Sequence, residues 1–191
     1  MKIRWGAWSR ALFALLLATA VSGCGPRTVA DTYSFGTARV YFADSVAELV
    51  LPFELQVRRE AELSAAAPSS VMAVNANWHF QTIVEGFPTE GRDLAAAEAE
   101  FTAMLRDNAD ADVTTSAAEL AGLPAVRADY HYVQPTQGGA VPLTGRAYIV
   151  IRDGTLWRIL YQYPTGDAEG EALMDVVDGR VQLRAVNKER V

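Results

Sequence analysis

Reactive side chains are scarce in this sequence. Its 191 residues include one Cys and two His, which excludes an intrachain disulfide framework and a cysteine-rich zinc module. Basic residues are outnumbered, 17 against 23 acidic ones, and the net charge of −6 argues against a nucleic-acid partner, because phosphate contacts need a basic face. No apolar run reaches the roughly 20 residues that span a bilayer. Half of the residues are nevertheless apolar, enough for a folded core.

Residues 1–23 have the composition of an export signal. They contain no acidic residue, and an apolar run from Ala11 to Ala20 is followed by small residues up to Gly23. The basic residues before or at the start of this run are Lys2, Arg4 and Arg10. A charged start, an apolar middle and a small-residue end are typical of a secretory signal peptide. We therefore predict that residues 1–23 are a signal peptide.

The end of this segment, Val21-Ser22-Gly23-Cys24, resembles the bacterial lipobox. The resemblance implies cleavage between Gly23 and Cys24, and attachment of diacylglycerol and a fatty acid such as palmitate to Cys24. Two or more acyl chains hold a protein stably at a membrane. The residue after Cys24 is Gly25 and not Asp, which the family pattern associates with the outer membrane if the source is Gram-negative.

The chain divides into four predicted segments. These are a signal peptide at 1–23, a lipidated N-terminus and tether at 24–32, a single α+β domain at 33–187 and a tail at 188–191. Removal of residues 1–23 takes away three basic residues, so 14 basic and 23 acidic ones remain and the net charge becomes −9. Such a charge disfavours binding to an anionic bilayer, so we expect the lipid to hold the protein at the membrane.

Hydrophobic periodicity predicts an α+β fold whose main sheet is antiparallel, with helices packed on it. Alternating patterns predict strands at 38–42, 47–51, 53–58, 78–85, 112–115, 124–133, 146–152 and 155–163. Spacings of three and four predict helices at 93–108 and 167–178, with Asp93 and Asp167 at their starts. Asp153-Gly154 stands between the last two strands and favours a tight hairpin turn.

The order of these elements, with Gly122-Leu123-Pro124-Ala125 opening a central strand, resembles the PsbP/DcrB-like superfamily. The resemblance covers roughly residues 33–187 and implies an α-β-α sandwich. Members of that superfamily are mostly binding or assembly factors without known catalysis. Together with the lipobox, the resemblance implies a bacterial lipoprotein that contacts another envelope protein.

The sequence offers few groups for catalysis. After residue 23 it has no Gly-x-Ser-x-Gly motif, no second Cys, and Lys188 as its only lysine. One hypothesis is a metal or acid/base site built from His79, His131, Asp129 and Glu85. These residues lack the fixed spacing of a metal motif, and we favour solvated or helix-covered positions on the sheet. We therefore predict no enzyme activity, no catalytic or metal-binding residues and no cofactor beyond the lipid on Cys24.

Aromatic residues concentrate in the predicted strands, where they pack well against cross-strand neighbours. Core packing is the interpretation that we favour for them. The alternative is a ligand-binding aromatic face formed by Trp157, Tyr161 and Tyr163. The predicted function is accordingly a lipid-anchored, non-catalytic binding or assembly domain of the cell envelope that acts through protein contacts. The alternative function is a carrier or scavenger of a small apolar ligand.

Overall fold

The computed structural model describes residues 28–59, 70–75 and 77–186. Chain contacts separate two units, Met1–Tyr33 and Ser34–Val191. In the first, α1 (Val29–Thr32) is a single helical turn whose N-cap, Thr28, donates its backbone N–H to Asp31 Oδ2 at 2.9 Å. The sequence predicted an irregular tether at this point. The signal segment, Cys24 and the 188–191 tail lie outside the described residues.

The second unit contains a seven-stranded sheet in which all neighbours are antiparallel. In spatial order its strands are β3 (Gln56–Arg59), β4 (Val71–Val74), β5 (Gln81–Pro88), β9 (Thr155–Pro164), β8 (Gly139–Arg152), β7 (Leu123–Thr136) and β6 (Asp112–Leu120). The predicted Asp153-Gly154 turn is confirmed, since both residues have positive φ, 49° and 75°. Ala121-Gly122 joins β6 to β7 in the same way, with φ of 54° and 75°.

A second, antiparallel sheet has three strands in the order β1 (Gly36–Phe42), β2 (Ser45–Leu51) and β10 (Val181–Ala185). It packs on one face of the large sheet, where β1 contacts β4 and β5. The indole Nε1–H of Trp157, on β9, donates to Ser45 Oγ on β2 at 3.1 Å. This hydrogen bond joins the two sheets inside the core.

Two helices cover the large sheet. Helix α2 (Leu94–Ala109) packs Phe101 and Leu105 against one face of the sheet, which is formed by β6, β7, β8 and β9. Helix α3 (Ala168–Val177) lies on the opposite side, where it contacts β9 and β2. Both N-caps are the predicted ones: Asp93 accepts from Ala96 N, and Asp167 accepts from two backbone N–H groups. No described helix combines the length and the apolar composition that a membrane crossing needs.

The α+β class and the antiparallel main sheet are thus confirmed, while several strand boundaries were wrong. The strand predicted at 112–115 continues to Leu120, and the strand predicted at 146–152 begins at Gly139. The strand predicted at 78–85 is β5 and begins only at Gln81, because Asn77 Oδ1 accepts the backbone N–H groups of His79 and Phe80 and holds them in a turn. The strand predicted at 53–58 begins at Gln56. Strands β4 and β10 were not predicted from the sequence.

Candidate functional site

The hairpin formed by β7 and β8 extends beyond its neighbours at one end of the large sheet. Its pairing continues to Thr136 opposite Gly139, whereas β6 stops opposite His131 and β9 stops opposite Leu143. Residues 133–142 therefore form a two-stranded projection, which we call the free hairpin. Residues 133–140 are all exposed, and Val133 keeps 56% of its surface accessible.

A cleft of about 320 Å³ lies at the base of the free hairpin. Trp78 borders it and is 71% exposed, the highest fraction among the exposed large hydrophobic residues of the described chain. The lining residues, none of them charged, are Asn77, Trp78, Gln81, Gln134, Thr136, Val141, Leu143, Gln162, Tyr163 and Pro164. In a chain with 23 acidic residues, this is a neutral surface with an exposed aromatic ring.

The floor of the cleft is fixed by a row of residues that crosses four strands. Register places Tyr130, Gly145, Gln162 and Gln81 side by side on β7, β8, β9 and β5. The Tyr130 hydroxyl donates to Gln162 Oε1 at 3.3 Å, and the Tyr132 hydroxyl donates to the same oxygen at 3.2 Å. Gln162 Nε2 donates to Gln81 Oε1. These bonds hold the buried Gln162 amide in one orientation.

Burial dominates the electrostatics of this row. Tyr130 is 1% exposed, and loss of solvation raises the pKa of its phenol above the ordinary range. Burial also raises the pKa of Tyr132, although its hydrogen bond to Gln162 acts in the opposite direction. Both hydroxyls therefore remain neutral donors at physiological pH.

A charged network lies on the opposite face of the hairpin's base. Asp129 accepts from Arg127 Nε at 2.7 Å and from Arg146 Nε at 2.8 Å, and Arg146 also contacts Asp178 at 2.5 Å. Tyr148 donates to Asp178 Oδ1 at 2.7 Å, and burial together with this bond raises the pKa of Tyr148 to about 12. Burial opposes ionisation of Asp129, but the two guanidinium groups outweigh it and lower its pKa. The network ties β7 and β8 to the end of α3.

His79 forms an ion pair at the start of α3. Its Nδ1 lies 2.6 Å from Asp167 Oδ2, and the other oxygen of Asp167 caps the helix. Hydrogen bonding to Asp167 raises the pKa of His79, and the same bond lowers the pKa of Asp167. The raised pKa of His79 stabilises the fold at pH values below its unfolded pKa, and that contribution is lost as pH rises through the folded value. The lowered pKa of Asp167 stabilises it above the unfolded value and loses effect in acid.

We predict that replacing His79 by Gln reduces the free energy of unfolding by up to about 1 kcal/mol between pH about 4 and 6.5, and by less at pH about 8.5. Urea denaturation at both ends of this range would measure the difference. The matched control is His131→Gln, because His131 is exposed and its Nδ1 contacts a hydroxyl, Thr144 Oγ1 at 3.1 Å. Equal losses for the His79 variant at both pH values would contradict the ion-pair account.

The hypothetical metal or acid/base residues contact different partners. His79 pairs with Asp167, His131 with Thr144, Asp129 with Arg127 and Arg146, and Glu85 with Arg158 at 2.8 Å. Within residues 28–59, 70–75 and 77–186, no group of three or more His, Cys, Asp or Glu is arranged to hold a metal ion. The described geometry therefore gives this hypothesis no support.

The three residues of the hypothetical aromatic binding face lie in two environments. Trp157 and Tyr161 have no accessible surface and pack inside the core, where Tyr161 stacks on Phe80 with a centroid distance of 5.9 Å. Tyr163 is partly exposed and lines the cleft beside Trp78. Of the three, Tyr163 is the one that a molecule at the surface could contact directly.

Among the other cleft residues, Gln134 and Thr136 carry a signal in the sequence, because the turn-forming residues at 134–140 favour a hairpin loop that could shape a binding edge. Gln81 and Gln162 carry none, since they lie on strands that are far apart in the chain and amide side chains have no spacing motif. Trp78 falls within the strand that alternation predicts at 78–85. The signal that could have placed it outside the strand is Asn77, since Asn side chains commonly form turns with the backbone two or three residues on.

Comparisons with known proteins identify no family for this chain. No family model and no curated protein matches the sequence. Among solved structures, it is similar to LpqN, involved in cell envelope biogenesis of Mycobacterium tuberculosis, at 18% identity over 83% of this chain and 99% of LpqN, with a TM-score of 0.47. A Pseudomonas aeruginosa protein of unknown function is 11% identical over 70% of this chain and 85% of its own, with a TM-score of 0.42. At these identities and TM-scores, the likenesses leave the family and the function of this chain open.

Proposed function

We propose that this chain is a lipid-anchored cell-envelope protein that acts without catalysis, as a binding or assembly domain that contacts another envelope protein. The anchor is the acylated Cys24, at the outer membrane if the envelope has two membranes. The observation that carries the proposal is the exposed, uncharged surface at the free hairpin, where Trp78 is 71% and Val133 is 56% accessible.

The chemistry of this surface suits a protein partner. Exposed Trp side chains give large contact areas and are frequent among the residues that dominate binding energy. The neutral lining of the cleft costs less to desolvate than a charged one. The hairpin is paired along its length and Gln162 is held by three side chains, so little conformational freedom is lost on binding.

The alternative, a carrier of a small apolar ligand, has less support. Trp157 and Tyr161 are fully buried in the core, and the cleft that Tyr163 lines has four amide side chains. Such a lining offers hydrogen bonds that an apolar ligand cannot use.

The proposal predicts a site-specific crosslink in intact cells. A photoreactive amino acid at Val133 should capture one protein of discrete mass in the membrane fraction, because Val133 lies on the contact surface. A photoreactive amino acid at Ala103, which is exposed on α2, is the matched control and should capture none. Immunoblotting and mass spectrometry of the adduct provide the measurement.

Two variants test this crosslink further. Trp78→Ala should reduce its yield about tenfold, since truncating a central interface aromatic costs on the order of 1.4 kcal/mol or more. Cys24→Ala should remove lipid attachment and lower the yield in membranes. A crosslink of the same yield and mass from Ala103 would count against the free hairpin as the contact surface. Full crosslinking by Cys24→Ala would count against a required anchor.

A further inference from the structure

The outward face of the three-stranded sheet is unusually basic for this chain. The polar and aromatic residues of this face, which we call the arginine face, are Thr37, Arg39, Tyr41, Glu48, Arg180, Gln182 and Arg184, and Val46 and Val50 lie between them on β2. Register sets Arg39 opposite Glu48 and Glu48 opposite Gln182, while the alternate residues Val40, Leu49 and Val181 point into the core. A groove of about 510 Å³ runs across this face.

The charges of the arginine face do not cancel. Glu48 is its one acidic residue, with Oε1 2.6 Å from Arg39 Nε and Oε2 3.5 Å from Arg184 Nε. The hydrogen bond from Arg39 lowers the pKa of Glu48, which remains ionised and offsets one guanidinium. Arg180 lines the same groove and is exposed. The face therefore carries an excess charge of about +2 in a chain whose residues after the signal sum to −9.

The side chains of this face match the headgroup region of a bilayer. Arginine guanidinium groups bind phosphate oxygens in a bidentate manner, and Arg39 and Arg184 keep 54% and 60% of their side chains accessible. Tyr41 is 57% exposed on the same face, and Tyr is enriched at membrane interfaces, where its ring meets both apolar and polar surroundings. Basic residues close to an anionic bilayer are attracted within about one Debye length.

The arginine face is close in the chain to the proposed anchor at Cys24. The arginine face begins on β1, at Thr37, only a few residues after the proposed tether. The segment from Cys24 to Gly36 cannot span more than about 40 Å when fully extended. Tethering at this range raises the effective concentration of the face at the bilayer surface, so weak contacts suffice to orient the domain.

We infer that the arginine face docks on the anionic, phosphate-bearing surface of the bilayer to which the chain is anchored. This inference rests on the proposed lipid anchor at Cys24. Repulsion of the acidic remainder of the domain favours this one orientation over others. Docking fixes which surfaces of the domain remain open to a partner.

The test uses the full lipidated protein reconstituted in vesicles of phosphatidylcholine alone or of equimolar phosphatidylcholine and phosphatidylglycerol. The variant Thr37→Cys has one free thiol when Cys24 is acylated, and the reaction of this thiol with a water-soluble maleimide reports access to the face. We expect labelling to be roughly tenfold slower on the anionic vesicles, with the difference removed by high salt. Ala103→Cys, used in place of Thr37→Cys, should react equally fast on both kinds of vesicle.

Charge variants decide whether the arginines cause the protection. The triple variant Arg39→Gln, Arg180→Gln and Arg184→Gln should abolish it, whereas Glu48→Gln should strengthen it. Arg152→Gln, at the end of β8 in the large sheet, is the matched control and should change nothing. Protein that floats with phosphatidylcholine vesicles but labels equally on both compositions overturns docking and leaves the anchor intact. Protein that does not float with either vesicle overturns the anchor and docking together.

Discussion

Replacing Gly145 by Ala should destabilise the domain by about 3 kcal/mol, near the upper end of the cost of overpacking a core. A Cβ at this position would lie 2.2 Å from Cζ and 2.3 Å from Cε2 of Tyr130, which is far inside van der Waals contact. The Tyr130 ring is 1% exposed and crosses β8 at Gly145 to reach Gln162, so it cannot move aside without losing that hydrogen bond. Urea denaturation followed by circular dichroism would measure the loss.

The control for this substitution is another strand glycine. Gly36 on β1 has no atom within 4 Å of an added Cβ, so Gly36→Ala should change the free energy of unfolding by less than about 0.5 kcal/mol. The double variant Gly145→Ala with Tyr130→Leu removes the colliding ring atoms. Its stability should exceed the value expected from adding the two single losses, since the contact is shared. Additive losses would show that Tyr130 is not the source of the cost.

Local chemistry explains which parts of the fold could be predicted. Asp153-Gly154 and the two helix-capping aspartates act through their own backbone neighbourhood, and the structure has each of them in the predicted role. The pairing of β5 with β9 is different, because it joins Gln81 to Gln162, which are 81 residues apart in the chain. No local pattern encodes that contact, and so the sequence could predict a mainly antiparallel sheet without its strand order.

The prediction missed two short strands for a related reason. Strand β4, Val71–Val74, has four residues, too few to show a period. Strand β10, Val181–Ala185, follows Gly179, which ends α3. Its short alternating pattern was not distinguished from the charged residues on either side of it. Strand β4 lies next to the edge strand of the large sheet, and β10 belongs to the three-stranded sheet. Because β10 was not predicted, the arginine face could not be predicted either.

Alternation of apolar and polar residues could not show which aromatic side chains of β9 are buried. Strand β9 is covered on both faces, by α2 on one side and by α3 and the small sheet on the other, and residues 155–162 are buried apart from Arg158, which is half-buried. On such a strand the apolar pattern is nearly continuous, and it cannot say which aromatic ring borders solvent. Core packing and a ligand cleft were therefore both open for Trp157, Tyr161 and Tyr163 until the layers were known.

Trp157 is the point at which the two sheets interlock. It is fully buried, its indole donates to Ser45 on the small sheet, and its ring lies over Gly86, where a Cβ would come within 2.8 Å of Cζ3. The absence of a side chain at Gly86 thus leaves the space that the Trp157 ring occupies against β5. Removal of this ring would leave a cavity between the layers and a buried hydroxyl without its donor.

Trp157→Ala should therefore lower the free energy of unfolding by about 4 kcal/mol, a large part of the 5–15 kcal/mol that is usual for a domain. Ser45→Ala removes only the acceptor and should cost about 1–2 kcal/mol, because the indole N–H is left buried and unpaired. The matched control is Trp78→Ala, which truncates an exposed Trp and should change stability by less than about 0.5 kcal/mol. Denaturation followed by circular dichroism compares all three variants. Equal losses for the two tryptophans would contradict the assignment of Trp157 to the core and Trp78 to the surface, on which the proposed contact surface depends.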